Sequence, residues 1–347
     1  MAKAGAARRS VVSLRGAATK SLSLHEMIDR SLVIEVVRVT EQAAVAAARL
    51  RGRGDEMAAD QAAVDAMRRM LNALPIHGTV VIGEGERDAA PMLYIGEEVG
   101  DPAGPRFDIA LDPLEGTTLC AKDQPNAITA IALAEPGTLL NAPDVYMDKI
   151  AIGRGYPEDT VHLDAPPAEN ISRLAAAKGV AVGEITACVL DRPRHAKLIE
   201  AIRATGAAVR LITDGDIAGV VDATNPHDTG VDIYLGVGGA PEGVLAAAAL
   251  KCLGGFMQGR LLLDDPDSRR RAGEMGISDP RRVYGVADMA AGDVLFAATG
   301  VTDGGMLAGV RFGPKGIVTE TIVMRHSTGA CRRIRSEHRM TERFDRA

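Results

Sequence analysis

Three short apolar runs in this chain each end in acidic residues set among glycines, and that arrangement limits the folds open to it. Thr79 to Ile82 runs into Gly83-Glu84-Gly85-Glu86, Phe107 to Leu111 into Asp112-Pro113-Leu114-Glu115-Gly116, and Val231 to Leu235 into Gly236-Val237-Gly238-Gly239-Ala240-Pro241-Glu242. A β-branched run bounded by turn residues reads as a buried strand. An acid at the end of such a strand is delivered to the sheet's carboxyl edge, where ligands of open α/β sheets collect. Pro113 is expected to end its strand, having no N–H to give the ladder.

The segments ahead of the first run carry helical periodicity. Ile28, Leu32, Val36, Val39, Ala43, Ala47 and Leu50 mark a long amphipathic helix from Met27 to Leu50, and Ala63, Val64, Met67 and Leu71 mark a second from Glu56 to Leu74, with Asp60 off its stripe. Further strands are expected at 127–134, 149–152, 186–190, 207–212, 294–298 and 318–324, with helices from Arg194, Asp216 and Pro241. This alternation predicts a mostly parallel sheet with helices on both faces, in a mixed α/β sandwich of two subdomains. The expected division is an N-terminal extension at 1–25, a metal-binding subdomain at 26–160 and a second subdomain at 161–340, its last strands returning to the first sheet. The polar stretch 264–279 reads as a surface loop or exposed helix.

Composition narrows the function classes. Aromatics make up 3% of the 347 residues and the net charge is -6. Base-stacking platforms and a broad cationic face are both missing, so nucleic acid is not an expected partner. No apolar run reaches the roughly 18 residues a membrane span needs. The cysteines, Cys120, Cys188, Cys252 and Cys331, are far apart with no CxxC pair. They read as free thiols of a reducing, cytoplasmic compartment. The first 20 residues carry five basic and no acidic groups, which suits an unstructured extension or, in composition, a transit peptide.

Asp112, Glu115 and Thr117 fall within six residues, an all-oxygen set of the kind hard divalent cations prefer. No His or Cys cluster accompanies them, which disfavours zinc. Glu84 abuts a strand and is a candidate ligand; Glu86 reads more readily as a solvated loop acid. Glu242, just after Pro241 at a helix start, is either a ligand or a carboxylate serving the helix dipole. The glycine cluster fails the GxGxxG spacing, and neither a P-loop nor a GxSxG elbow occurs. Tyr146 with Lys149, Arg192 with Arg194, and Asp214 with Asp216 are candidate substrate contacts: the arginines for a distal phosphate, the aspartates for sugar hydroxyls. His195 reads as structural or surface.

Taken together, VVIGEGERDAAPMLYIGEEVG at 80–100, DIALDPLEGTT at 108–118, LNAPDVYMDK at 140–149, DRPRH at 191–195, TDGDIA at 213–218 and GGAPEGV at 238–244 resemble class II (GlpX-type) fructose-1,6-bisphosphatases. The DPLEGT element also resembles the signature of the wider lithium-sensitive metal-dependent phosphatases. The resemblance implies a layered α-β-α-β-α sandwich, with Mg²⁺ or Mn²⁺ at Asp60, Glu84, Asp112 and Glu242. It implies substrate contacts from Glu115, Gly116, Thr117, Tyr146, Arg192, Arg194, Asp214, Asp216 and Gly239, and a homodimer or homotetramer. The expected reaction is hydrolysis of the 1-phosphate of fructose 1,6-bisphosphate by a metal-activated water that Thr117 orients. A dual enzyme also accepting sedoheptulose 1,7-bisphosphate is the nearest alternative, and a non-catalytic sugar-phosphate-binding regulator a remote one.

Overall fold

The structure, a computed structural model, describes residues 32–85 and 92–344. The expected N-terminal extension, the first turn of the expected first helix, and Glu86 lie outside the described residues. In chain order the main elements are α1 (Val33–Ala48), α2 (Glu56–Leu71), β1 (His77–Ile82), β2 (Glu98–Gly100), β3 (Arg106–Glu115), α3 (Thr117–Ala121), β4 (Ile128–Ala134) and β5 (Tyr146–Ile152). Then follow α4 (Pro167–Lys178), β6 (Thr186–Leu190), α5 (Ala196–Ala204), β7 (Ala208–Ile212), α6 (Asp216–Asp222), β8 (Ile233–Gly239), α7 (Ala240–Leu253), β9 (Phe256–Leu261) and α8 (Pro266–Glu274). The chain closes with β10 (Tyr284–Gly285), β11 (Val294–Gly300), β12 (Arg311–Gly313), β13 (Gly316–Arg325) and β14 (Ala330–His338).

Two sheets form. One has the order β12-β13-β11-β4-β3-β1-β2 with β14 beside β13, and the other the order β10-β9-β5-β8-β6-β7. Three layers of helix enclose them, giving an α/β sandwich. In β3 and β4, Ile109, Leu111, Ile131 and Leu133 face α1 and α2, while Ala110, Ala130, Ala132 and Ala134 face the other way. This is the period of two that a strand imposes. The alanine face meets α7, which is buried continuously from Gly243 to Leu250 and fills the gap between the sheets. A helix apolar all round belongs in such a middle layer. Alanine on both surfaces lets helix and sheet approach closely, which is how a core with few aromatics packs densely. On the far side of the second sheet, Ile171 and Leu174 of α4 and Ile199 and Ile202 of α5 cover Ile150, Ile152, Val189 and Ile233.

The expectation of mostly parallel sheets is corrected. Only β1–β3, β6–β7 and β6–β8 pair in parallel among the described strands; the other pairings are antiparallel. The helical crossovers are real, but they join strands that need not be neighbours. β8 and β9, joined by α7, both flank β5, which runs against them. Between β3 and β4 lie the twelve residues 116–127, of which only the five of α3 are helical; that helix rises about 7 Å, whereas a parallel return needs a crossover spanning the roughly 33 Å of a ten-residue strand. The strand therefore reverses.

Candidate metal and phosphate site

The two sheets aim their functional ends at one another across the first turn of α7. The β3 strand continues through Pro113 to Glu115, so the expectation that Pro113 ends it is also corrected. Its register against β4 is regular up to Asp112 opposite Ala130 and resumes at Glu115 opposite Ile128. Pro113 sits in that irregularity, where a missing N–H breaks no ladder bond. In an unbroken strand, residues three apart point to opposite faces; the irregularity turns Asp112 and Glu115 to the same side. Leu114 N–H donates to Asp112 Oδ1 at 3.0 Å, and Ile217 N–H at the start of α6 donates to Glu115 Oε1 at 3.0 Å.

Glu242 enters from the first turn of α7. Carboxylate oxygens of Asp112, Glu115 and Glu242 lie within 4.8 Å of one another. Asp60, from α2, and Glu84, from the loop after β1, stand outside this tight trio but within its field. Burial, then the charges of Asp112, Asp60 and Glu242, raise Glu84 to about 9. Burial leads the same shift at Asp112, to about 7, and at Glu242, to about 8; it also raises Asp60, and Glu115 is pushed well up by burial and by Asp112. Carboxylates crowded in low dielectric hold protons unless a cation replaces them. Glu242 Oε2 is buried with no hydrogen-bond partner among the described residues. A helix-dipole role leaves that oxygen unexplained, whereas a hard divalent ion fits this all-oxygen set.

Beside the trio opens a cavity of about 580 Å³. Glu115, Tyr146, Arg192, Arg194, Asp214, Asp216, Gly239 and Glu242 line it, whereas Asp60, Glu84, Asp112, Gly116 and Thr117 are not on its wall. Gly116 takes φ 85, a left-handed conformation that turns the chain into α3 with Thr117 as its first residue. Arg194 donates to Val237 O at 2.8 Å and lies 4.7 Å over the Tyr146 ring. Arg192 stands 3.7 Å from Asp214. No sequence pattern pointed to the opposite wall, where Asp144, Asp264, Asp265, Ser268 and Arg271 come together. The stretch expected as exposed surface contributes α8, capped by the Asp265 side chain.

Two residues have roles different from, or sharper than, those expected. Lys149 does not reach the substrate cavity. Its side chain is fully buried, pairing with Asp216 and donating to Gly239 O at 2.8 Å. His195 is structural: Nδ1 meets Leu190 O at 2.7 Å, and Nε2 accepts from Val237 N–H at 2.8 Å. These contacts also account for the glycines of β8. A Cβ at Gly236 would press on the His195 ring, one at Gly238 would strike the Asp216 carboxylate, and one at Gly239 would strike Glu242.

The chain is similar to known proteins over most of its length. The model of a family described as bacterial fructose-1,6-bisphosphatase, glpX-encoded, matches residues 30–338. A relative from Synechococcus sp. (strain JA-3-3Ab), named D-fructose 1,6-bisphosphatase class 2/sedoheptulose 1,7-bisphosphatase, is 45% identical over 336 residues, covering 90% of this chain and 96% of its own. Proteins of the same name from strain JA-2-3B'a(2-13), 45% identical over 336 residues with the same coverage, and from strain RCC307, 44% identical over 311 residues covering 86% and 92%, are similar to it as well.

Proposed function

Because the chain belongs to the bacterial, glpX-encoded fructose-1,6-bisphosphatase family, we propose that it removes the 1-phosphate of fructose 1,6-bisphosphate, giving fructose 6-phosphate and inorganic phosphate. The observation that carries this reading is the Asp112–Glu115–Glu242 trio at the edge of a cavity that also holds Arg192 and Arg194. Glu84, Asp112, Glu115 and Glu242, with Asp60 nearby, would hold Mg²⁺ or Mn²⁺. When bound, the cation lowers the pKa of its water and offsets charge on the transferring phosphoryl group.

The protein's own groups supply position. Thr117, at the left-handed turn of Gly116, orients the attacking water, and Glu84 and Asp112 serve the catalytic centre. Arg192 and Arg194 grip the second phosphate, Arg194 being held in place by Val237 O and the Tyr146 ring. Asp214 and Asp216 accept from sugar hydroxyls, and Gly239 allows the sugar to come close to the backbone. An inositol monophosphate would leave the arginine pair without a partner.

The names of the Synechococcus relatives favour one second reading, a dual enzyme that also takes sedoheptulose 1,7-bisphosphate. ³¹P NMR of the product and competition between the two bisphosphates test both readings. Loss of the 6-phosphate, or turnover of neither sugar, would overturn the assignment. We also propose a homodimer or homotetramer, with α1 as one interface element, in the cytoplasm. The free state of the cysteines supports a reducing compartment. No helix of the described residues is long and apolar enough to cross a membrane. Light scattering on the eluting protein counts the subunits.

A further inference from the structure

We propose that Lys149 is a positioning residue that withholds Asp216 from the metal carboxylates and reserves it for the sugar. The inference rests on the metal-site reading above. Asp216 has every qualification of another ligand: it is an acid at the start of α6, it lines the cavity, and its charge is felt by both Glu115 and Glu242. Yet it stands outside the tight trio. Its Oδ2 is taken by Lys149 Nζ, with the Tyr234 hydroxyl donating from 3.5 Å.

The lysine has no other place to go. It rises from β5 between β8 and β9, opposite Gly236 and Gly259. A Cβ at Gly238 would come 2.9 Å from Nζ, and one at Gly243 3.4 Å from Cδ. The second bond of Nζ, to Gly239 O, ties the same ammonium to the backbone beside Glu242. The buried ammonium is paired with the buried Asp216 carboxylate and also bonded to Gly239 O. The pair is therefore fixed and contributes no net charge. Without the ammonium, Asp216 would be a further free carboxylate beside a hard cation, binding metal more tightly and no longer aimed at substrate.

The test is calorimetric titration of Mn²⁺ into chelator-treated full-length protein, together with the KM for fructose 1,6-bisphosphate. Wild type, Lys149→Met, Asp216→Asn and the double variant are compared. Removing the positive charge in Lys149→Met should tighten Mn²⁺ binding about tenfold, one unit charge at this range being worth of the order of 1.4 kcal/mol. Its KM should rise about tenfold. Asp216→Asn should bind Mn²⁺ more weakly. The double variant, neutral at both positions and so safest to fold, should return Mn²⁺ affinity to within about threefold of wild type while KM stays high.

A merely structural lysine predicts the opposite pattern, with metal binding weakened in Lys149→Met and in the double variant, and that result overturns the inference. A wild type that binds no Mn²⁺ overturns the metal-site reading itself, and this inference with it.

Discussion

Arg68 Nε donates to the buried carboxylate of Glu97 at 2.6 Å, joining the helix that carries Asp60 to the loop that follows Glu84. The other Glu97 oxygen accepts from Leu93 N–H, and Leu93 O accepts from Glu84 N–H at 3.1 Å. Leu93 is fully buried at φ 53, in the left-handed region, and a Cβ at Gly83 would strike its carbonyl. One ion pair thus spans two arms of the carboxylate site. Arg68 is 41% exposed, so Arg68→Ala should cost about 1–3 kcal/mol, through the carboxylate left buried without its partner. Thermal melting with and without Mn²⁺ checks this. The account expects a lower midpoint and a smaller stabilisation by metal; an unchanged metal response would show that the clasp does not position Glu84.

Asp112→Asn should reduce turnover by about 10²-fold or more, because the substituted amide is a poor ligand for a hard cation. The fold should survive, since the amide still accepts from Leu114 N–H and removes a like charge from Glu84 and Glu115. Circular dichroism beside a phosphate-release assay separates the two effects.

The metal-free protein should lose stability as pH rises. Glu84 is raised from 4.5 to about 9 in the native state. Below the unfolded value both states carry the proton, so no penalty exists. Between the two values the native state holds a proton that the unfolded chain has released, and stability falls with pH until it levels off above the folded value. Glu242, raised to about 8, and Asp112, raised to about 7, add in the same direction. With chelator present the melting midpoint should drop from about pH 6 to about pH 9, and Glu84→Gln should flatten the fall. Saturating Mg²⁺ should flatten it also, with protons released on binding. A midpoint rising over that range would contradict these shifts.

His195→Ala should strand Val237 N–H, costing about 1–3 kcal/mol, while Leu190 O keeps the Arg192 N–H. Val237 O is the anchor of Arg194, so KM should rise more than kcat falls. Steady-state kinetics with a denaturant titration reads both quantities.

The positions of Glu84, Asp112 and Glu115 were legible in the sequence because each lies at the end of an apolar run that reads as a strand. The bulge at Pro113 was not. A proline after a strand ordinarily terminates it, and only β4 alongside, with Thr129 Oγ1 donating to Pro113 O at 2.8 Å, shows that the strand resumes. The glycines at 236–239 looked like a turn for the same kind of reason. They are strand residues whose missing side chains make room for His195, Asp216 and Glu242, and no local pattern encodes a neighbour 40 residues earlier. Strand direction failed as well, because the helical crossover over α7 says that β8 and β9 run the same way and is silent about β5 between them. Lys149 reads from the sequence as a candidate substrate contact beside Tyr146, but its burial depends on α7 closing above it.

The most direct test of the central claim is inorganic phosphate release from fructose 1,6-bisphosphate by the purified full-length protein, with Mg²⁺, with Mn²⁺ and with EDTA. The account predicts one phosphate per sugar, released only with a divalent cation and restored when the cation is returned after chelation. Equal release in EDTA, or none from a folded protein with either metal, would contradict it.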